Sequence, residues 1–348
     1  MTPEQTSNLP TLEDVAKVAG VSRSTVSRVI NDIRNVDPEL QETVRSAIAQ
    51  TGYVPNHAAR SLVTKRTGSV ALVVSEAEHR TFDDPFLGRL FTDPFFGRVL
   101  SGIFGELRPR RINLVLMLAE TDAARVQLID YLRQGHVDGV ILVSTHADDP
   151  LPQLITESGL PAVLSRRPSS PIPISYVDAD QRAGAVLAAE RLLARGCNRV
   201  ATITGPMDMP ASRERLEGFR DAMARRGHAS VPTVEGNFTQ ESGKLAVQEL
   251  LAEHGDIDGL FAANDLMAQG ALLALHDLGL SVPDQVAVVG FDDSSAAAVS
   301  RPRLTTVRQP IEDMAAEMAR LLLAHVEDRQ REVSSRIFEP TLVIRDSA

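Results

Sequence analysis

One cysteine, Cys197, occurs in the 348 residues. A disulfide framework is therefore excluded, and a reducing compartment is the natural setting. The eight histidines are scattered without metal-ligand spacing and Cys197 has no partner thiol, so no metal site is expected. Long apolar runs are also missing, since none approaches the roughly 18 residues needed to span a bilayer. The opening MTPEQTSNLP lacks the charged-then-apolar run of a secretion signal. There is no G-x-G-x-x-G or G-x-x-x-x-G-K after a strand and no G-x-S-x-G elbow, which removes the usual dinucleotide, nucleotide and hydrolase signatures. A cytoplasmic protein is expected, without enzymatic activity, cofactor or membrane partner.

What is present is uneven charge. Residues 1–66 carry eight Lys/Arg against seven Asp/Glu, a net +1, which leaves −11 of the total −10 on the remainder. A near-neutral head with clustered arginine on an acidic body presents one end to a polyanion. The length and the 43% hydrophobic content predict two or three domains with sizeable cores.

In "TLEDVAKVAGVSRSTVSRVIND" the residues Leu12, Val15, Ala16 and Ala19 repeat on one helical face. Thr11 with Asp14 makes a variant capping box, and Gly20 suits the left-handed residue that ends a helix. Ser22 caps a second helix whose inward face is Val26, Val29 and Ile30. The two form a helix-turn-helix. A third helix begins at Asp37-Pro38, turns Leu40, Val44, Ala47 and Ile48 inward, and stops at Gly52. The exposed face of the second helix is Arg23, Ser24, Thr25, Ser27 and Arg28. Arginine pairs bidentately with guanine, and short hydroxyls bond phosphates. A solvated polar face on a small bundle has the same pattern. "GYVPNHAARSLVTKRTG" adds a short helix capped by Asn56, with too few apolar residues (Ala58, Ala59, Leu62) to fold alone, and then a basic linker.

Over essentially its whole length, and most specifically from Thr11 to Leu62, the chain resembles the lactose/galactose repressor (LacI/GalR) family of transcription regulators. The resemblance implies a head at 1–55, a hinge helix and linker at 56–68, and a two-lobed effector-binding and dimerisation body at 69–348. Its first lobe takes about 69–177 and 311–337, its second about 178–310 and 338–348. Arg23, Ser24 and Arg28 are then the base readers, and Thr11, Ser22, Thr25, Ser27, Asn31, Tyr53 and Asn56 lie near the DNA backbone. Ala59 and Leu62 belong to the hinge helix, with Leu62 wedged into the minor groove. The implied partners are pseudo-palindromic double-stranded operator DNA, a sugar or sugar derivative as effector, and a second copy of the chain, in the cytoplasm and on the nucleoid when DNA-bound. The implied mechanism is a repressor's, with lobe closure controlling operator affinity.

In the body, β-rich runs ("SVALVVS", "INLVLML", "DGVILVS", "PAVLS", then "NRVATIT", "DGLFAAN", "QVAVVGFDD") alternate with helical patterns. Parallel sheets with crossover helices follow from this, and the strand number suits two doubly wound lobes. The fold class is therefore an all-α head plus an α/β, periplasmic-binding-protein-like body. Ligands bind beyond the carboxyl ends of such strands, which here carry Ser75, Ser144, Thr204, Asn264 and Asp292. Each of these also suits a helix cap. The resemblance assigns Ser75, Phe95, Phe96, Arg167, Arg213, Phe238, Asn264, Asp292 and Gln309 to the effector. Phe238 serves equally as a core aromatic. Arg166 replaces the carboxylate many relatives carry, which leaves room for an acidic or phosphorylated ligand, or else for a side chain in solvent.

One short stretch is nearly duplicated: Asp84–Phe91, DPFLGRLF, returns as Asp93–Leu100, DPFFGRVL. After Pro94 the apolar spacing holds for three turns (Phe96, Val99, Leu100, Ile103, Phe104, Leu107), whereas Pro94 itself stops the first copy. The second copy is expected to start a crossover helix at the cleft, and the first to be an inserted flap or surface turn. Two rival readings remain, a dinucleotide-dependent enzyme and a sugar-binding protein, each fused to a helix-turn-helix.

Overall fold

The computed structural model describes residues 10–30, 36–54, 66–76, 88, 91–144 and 146–348, in two compact units that divide between Gly68 and Ser69. The expectations for Asn31, Asn56, Ala59, Leu62 and most of the first repeat copy fall outside these residues.

In the first unit, α1 (Leu12–Ala19), α2 (Arg23–Ile30) and α3 (Pro38–Thr51) pack on one another. The capping box on α1 is complete, with Thr11 and Asp14 exchanging backbone-to-side-chain bonds, and Gly20 closes the helix at φ 67°. The Thr25 N–H donates to the Ser22 hydroxyl at 3.1 Å. Asp37 caps α3, and Gly52 ends it at φ 66°. Val15, Ala16, Val26, Val29, Val44 and Ala47 are buried together, with Leu12, Ile30, Ile48 and Tyr53 half-buried around them. Full burial of one valine contributes roughly 1.5–3 kcal/mol, so this small cluster offsets the weak propensity of three short helices.

The second unit has two lobes. The chain builds β1 (Ser69–Ser75), α4 (Pro94–Leu107), β2 (Asn113–Ala119), α5 (Asp122–Arg133), β3 (Val140–Ser144), α6 (Leu151–Glu157), β4 (Ala162–Leu164) and β5 (Ser175–Ala179). It then crosses to α7 (Gln181–Ala194), β6 (Val200–Thr204), α8 (Pro210–Arg225), β7 (Thr233–Glu235), α9 (Gln240–His254) and β8 (Gly259–Ala262). α10 (Asp265–Asp277), β9 (Ala287–Phe291), α11 (Ser295–Val299) and β10 (Thr305–Arg308) complete that passage. The chain returns with α12 (Ile311–Glu327) and β11 (Ser335–Phe338), and crosses again into β12 (Thr341–Val343). The sheets are six-stranded, in the orders β11-β5-β4-β3-β1-β2 and β12-β10-β9-β8-β6-β7. All pairing is parallel except β10 with β12.

Strand period explains why the runs read as continuously apolar. Val70, Leu72 and Val74 of β1 face a core with α4 and α12, while Ala71 and Val73 face one with α5 and α6. A parallel sheet covered on both faces needs apolar residues at every position. The second sheet is sandwiched the same way, with Ile203 and Leu260 on one side and Phe261 and Val289 on the other. The lobes meet where strands cross, and the Asp180 N–H there donates to the Phe338 carbonyl at 3.0 Å. The carboxyl ends of both sheets open on the cleft this crossing creates.

Candidate functional site

In the first unit, Ser22, Arg23, Ser24 and Arg28 are exposed and Thr25, Ser27 and Tyr53 half-buried, with Thr11 exposed ahead of α1. The Ser22 hydroxyl lies 2.7 Å from that of Ser24 and 2.9 Å from that of Thr25. These hydroxyls form one cluster at the amino end of α2, where unsatisfied N–H groups favour a phosphate. Arg23 meets Glu13 at 2.9 Å, both ends exposed. Such a pair is weak and is easily given up for a stronger anion.

Between the lobes lies a cavity of about 440 Å³. Lobe 1 contributes Ser75 and Glu76 from the end of β1, then Thr92, Asp93, Phe95 and Phe96 at the start of α4. Asp93 caps that helix by accepting from the Phe95 N–H at 2.9 Å. Phe95 and Phe96 meet edge to face, with ring centroids 5.3 Å apart. Lobe 2 contributes Met209, Ala211 and Arg215 of α8 and its cap, the 237–241 turn, Asn264, Leu266 and Asp292. Gln309 lines it from the crossing segment.

Several polar groups of the lining are held by neighbouring residues, some of them in the lining itself. The Asn264 side chain caps α10 through the Met267 N–H at 2.9 Å and donates to the Phe238 carbonyl at 3.0 Å. Phe238 has φ 67°, a strained value for a bulky residue. Its ring lies so close on Gly205 that a Cβ there would sit 2.0 Å from it. Asp292, at φ 106°, accepts from the Gln309 amide at 2.6 Å. The Arg98 guanidinium of α4 donates to the Asp292 carbonyl at 2.7 Å and forks onto Glu312, both contacts 2.7 Å.

Arg213 is not where the resemblance put it. It is exposed on α8, and Arg215, 5% exposed, lines the cavity instead. A step of two residues turns a helix by about 200°, so only one of the pair faces inward. Arg215 shares the inner face with Ser212, Phe219 and Ala222. Its Nε donates to Gln181 at 2.8 Å, Nη1 donates to the Ala263 carbonyl, and the guanidinium stacks 3.8 Å above the Phe291 ring. Asp292 lies 3.8 Å away. Burial pulls the Arg215 guanidinium below its ordinary range, opposed by Asp292. Burial likewise pushes Asp292 up, opposed by Arg215 and Gln309.

Arg167 is a second correction. Arg167, beyond the end of β4 at Leu164, is exposed against Tyr176 and does not line the cavity. Arg166 is neither in solvent nor in the cavity. It donates to the carbonyls of Ser144 at 2.7 Å and His146 at 2.6 Å, which removes the support it lent to an acidic ligand. Ser144 and Thr204 are buried beneath the cleft, outside the cavity lining. Glu76 went unforeseen, having no signal beyond its place after a strand end. Arg215 was legible from the stripe it shares with Phe219 and Met223.

A helix-turn-helix joined in sequence to a two-lobed α/β body with a polar interlobe cavity defines a ligand-responsive transcriptional regulator. A model of bacterial regulatory proteins of the lacI family matches residues 11–56, and one of periplasmic-binding-protein-like domains matches residues 169–348. The HTH-type transcriptional regulator CelR of Thermobifida fusca is 45% identical over 343 residues, covering 97% of this chain and 98% of that one. Two solved structures are similar. A transcriptional regulator CelR–cellobiose complex has a TM-score of 0.75 at 42% identity, over 97% of this chain and 100% of that one. A lac repressor dimer bound to operator and the anti-inducer ONPF has a TM-score of 0.83 at 26% identity, over 98% and 99%. The chain belongs to the lacI family of bacterial regulatory proteins.

Arg215→Ala is expected to lower the melting temperature, because it leaves Gln181, the Ala263 carbonyl and Asp292 buried and under-satisfied, a loss of roughly 1–3 kcal/mol per group. Arg213→Ala should melt like the parent. Equal melting of the two in scanning calorimetry would refute the inward placement of Arg215.

A pH signature follows from Asp265, buried under this floor. It accepts from the Thr306 hydroxyl and the Ser294 N–H, both at 2.6 Å. Burial, and next the nearby Asp292, push its pKa from 3.8 up to about 8. A raised carboxylate favours the folded state only while neutral, so its contribution falls as pH climbs between 3.8 and about 8. Asp265→Asn stays neutral, and its stability relative to the parent should improve steadily across that window in thermal melts. A gap independent of pH is the contrary result.

Proposed function

We propose that the chain is a dimeric repressor that binds a pseudo-palindromic operator through α2 and responds to a neutral sugar held between its lobes. Arg23, Ser24 and Arg28 read bases, and Thr11, Ser22, Thr25, Ser27 and Tyr53 hold the DNA backbone. Asn31 and the 56–68 hinge, with Asn56, Ala59 and Leu62, complete the contact. The effector-facing set is Ser75, Phe95, Phe96, Arg215, Phe238, Asn264, Asp292 and Gln309. This reading places the protein in the cytoplasm, on the nucleoid when DNA-bound, with no cofactor and no catalysis.

The observation that carries the ligand class is the charge of the cavity. Glu76, Asp93, Glu241 and Asp292 line it, and Arg215 is the one cation among the described lining residues. Carboxylates accept from hydroxyls and repel phosphate or uronate. Aromatic faces at Phe95, Phe96 and Phe238 suit the apolar face of a pyranose. Cellobiose, the ligand named for the CelR structure, is the first probe to use.

Dimerisation is supported by unsatisfied surface. Among the described residues β2 is the edge strand of its sheet, and Leu116 on it is 40% exposed. Leu273 of α10 is 47% exposed. An apolar sheet edge of this kind needs a cover, and a two-fold partner supplies one together with the second head a palindrome requires.

Calorimetric titration tests the ligand class: cellobiose or another neutral sugar should bind, and sugar phosphates and sugar acids should not. Preferential binding of an anionic sugar refutes it. On the DNA side, Arg28→Ala should reduce discrimination between operator variants by roughly 1–3 kcal/mol, measured by selection from randomised duplexes. Unaltered selection would remove α2 from the role of reader.

A further inference from the structure

We propose that Glu76, His146 and Asp208 form a latch across the cleft, in which His146 is a positioning residue that ties the cavity wall of lobe 1 to lobe 2. His146 follows β3 and is 6% exposed. Its Nε2 meets Glu76 Oε1, and its Nδ1 lies 2.7 Å from Asp208 Oδ2. Glu76 stands at the end of β1 and lines the cavity. Asp208 sits on the loop between β6 and α8, next to Met209, which lines the cavity from the opposite lobe. The Ala147 N–H donates to the Asp208 carbonyl at 3.4 Å, a second bond over the same gap.

The imidazole is carried on a braced arm. Arg166 donates to the His146 carbonyl at 2.6 Å, and Arg125 donates to the Glu76 carbonyl at 2.8 Å. The arginine that stands in place of the family's carboxylate thus supports this arm and leaves the ligand to others. The two ends of the latch differ in burial. The Glu76 side chain is 9% exposed and that of Asp208 51%. The buried inner bond is worth more in its low-dielectric surroundings than the half-exposed outer one. The latch therefore opens at Asp208. A ligand hydroxyl that donates to Glu76 fixes the carboxylate that orients His146, so occupancy favours closure and closure favours occupancy to the same degree.

The first measurement needs no ligand, so it stands apart from the sugar reading on which the coupling rests. Paired spin labels at Gln153→Cys in lobe 1 and Ala224→Cys in lobe 2, both exposed positions, report lobe separation in the full chain carrying Cys197→Ser. Asp208→Ala and His146→Ala should shift the distance distribution to longer values, and Asp208→Asn, which keeps an acceptor for Nδ1, should restore the parent distribution. If His146→Ala fails to fold, the half-exposed Asp208 pair decides. A parent-like distribution in Asp208→Ala overturns the latch. A cellobiose titration then reads the coupling: Asp208→Ala should weaken binding about tenfold, within the usual range of such couplings, and Asp208→Asn should not. Unweakened binding by Asp208→Ala overturns the coupling. No binding by any variant, parent included, counts against cellobiose as effector and leaves the distance result to judge the latch.

Discussion

A guanidinium cannot be buried on its own, and the floor of the cavity is arranged around that constraint at Arg215. Its charge is matched by Asp292, its plane rests on Phe291, and its N–H groups reach Gln181 and the Ala263 carbonyl. Those partners come from α7, the end of β8 and the end of β9, so one side chain sets the spacing of three elements. Asp292 passes the constraint onward through Gln309 to the crossing segment, and through its carbonyl to Arg98 in lobe 1. Arg98 in turn is held by Glu312 at the start of α12. Stacking and hydrogen bonding together keep a desolvated charge tolerable where either alone would leave a penalty of several kcal/mol.

The parts legible in the sequence are those whose signals are local. Thr11 with Asp14, Gly20, Asp37-Pro38 and Gly52 mark helix ends within a few residues of themselves, and the heptad-like apolar spacing fills in the core between them. The body was legible as alternation, because two-faced parallel strands must be apolar throughout. What escaped was tertiary. Glu76, His146 and Asp208 lie 70 and 62 positions apart, and no periodicity links three segments that meet only after both sheets have formed. Arg213 and Arg215 were separable by helical phase, yet the resemblance favoured the wrong one. Arg166 was misread for a different reason: main-chain carbonyls can consume a cation, and a sequence carries no mark of that.

The cavity's selectivity and the lobes' mobility rest on the same residues. Glu76 and Asp292 line the cavity on one side, and on the other each contacts a group that reaches across the cleft, His146 or Arg98. In a regulator built this way, a ligand held by those carboxylates would also bias the groups that set its shape.

The interleaving of the lobes carries one more consequence, for biosynthesis. The first sheet is opened by β1 and closed by β11, while the second is closed by β12 only three residues beyond it. Ser347 then bonds the Val288 carbonyl and the Thr305 N–H from a fully buried position. Neither core is complete until β11 and β12 have been translated, so vectorial folding cannot finish one lobe while the other is still being made. The nascent body must wait with apolar strands partly uncovered, a state that invites chaperone capture. The small head, folded from local contacts alone, can form as soon as it leaves the ribosome.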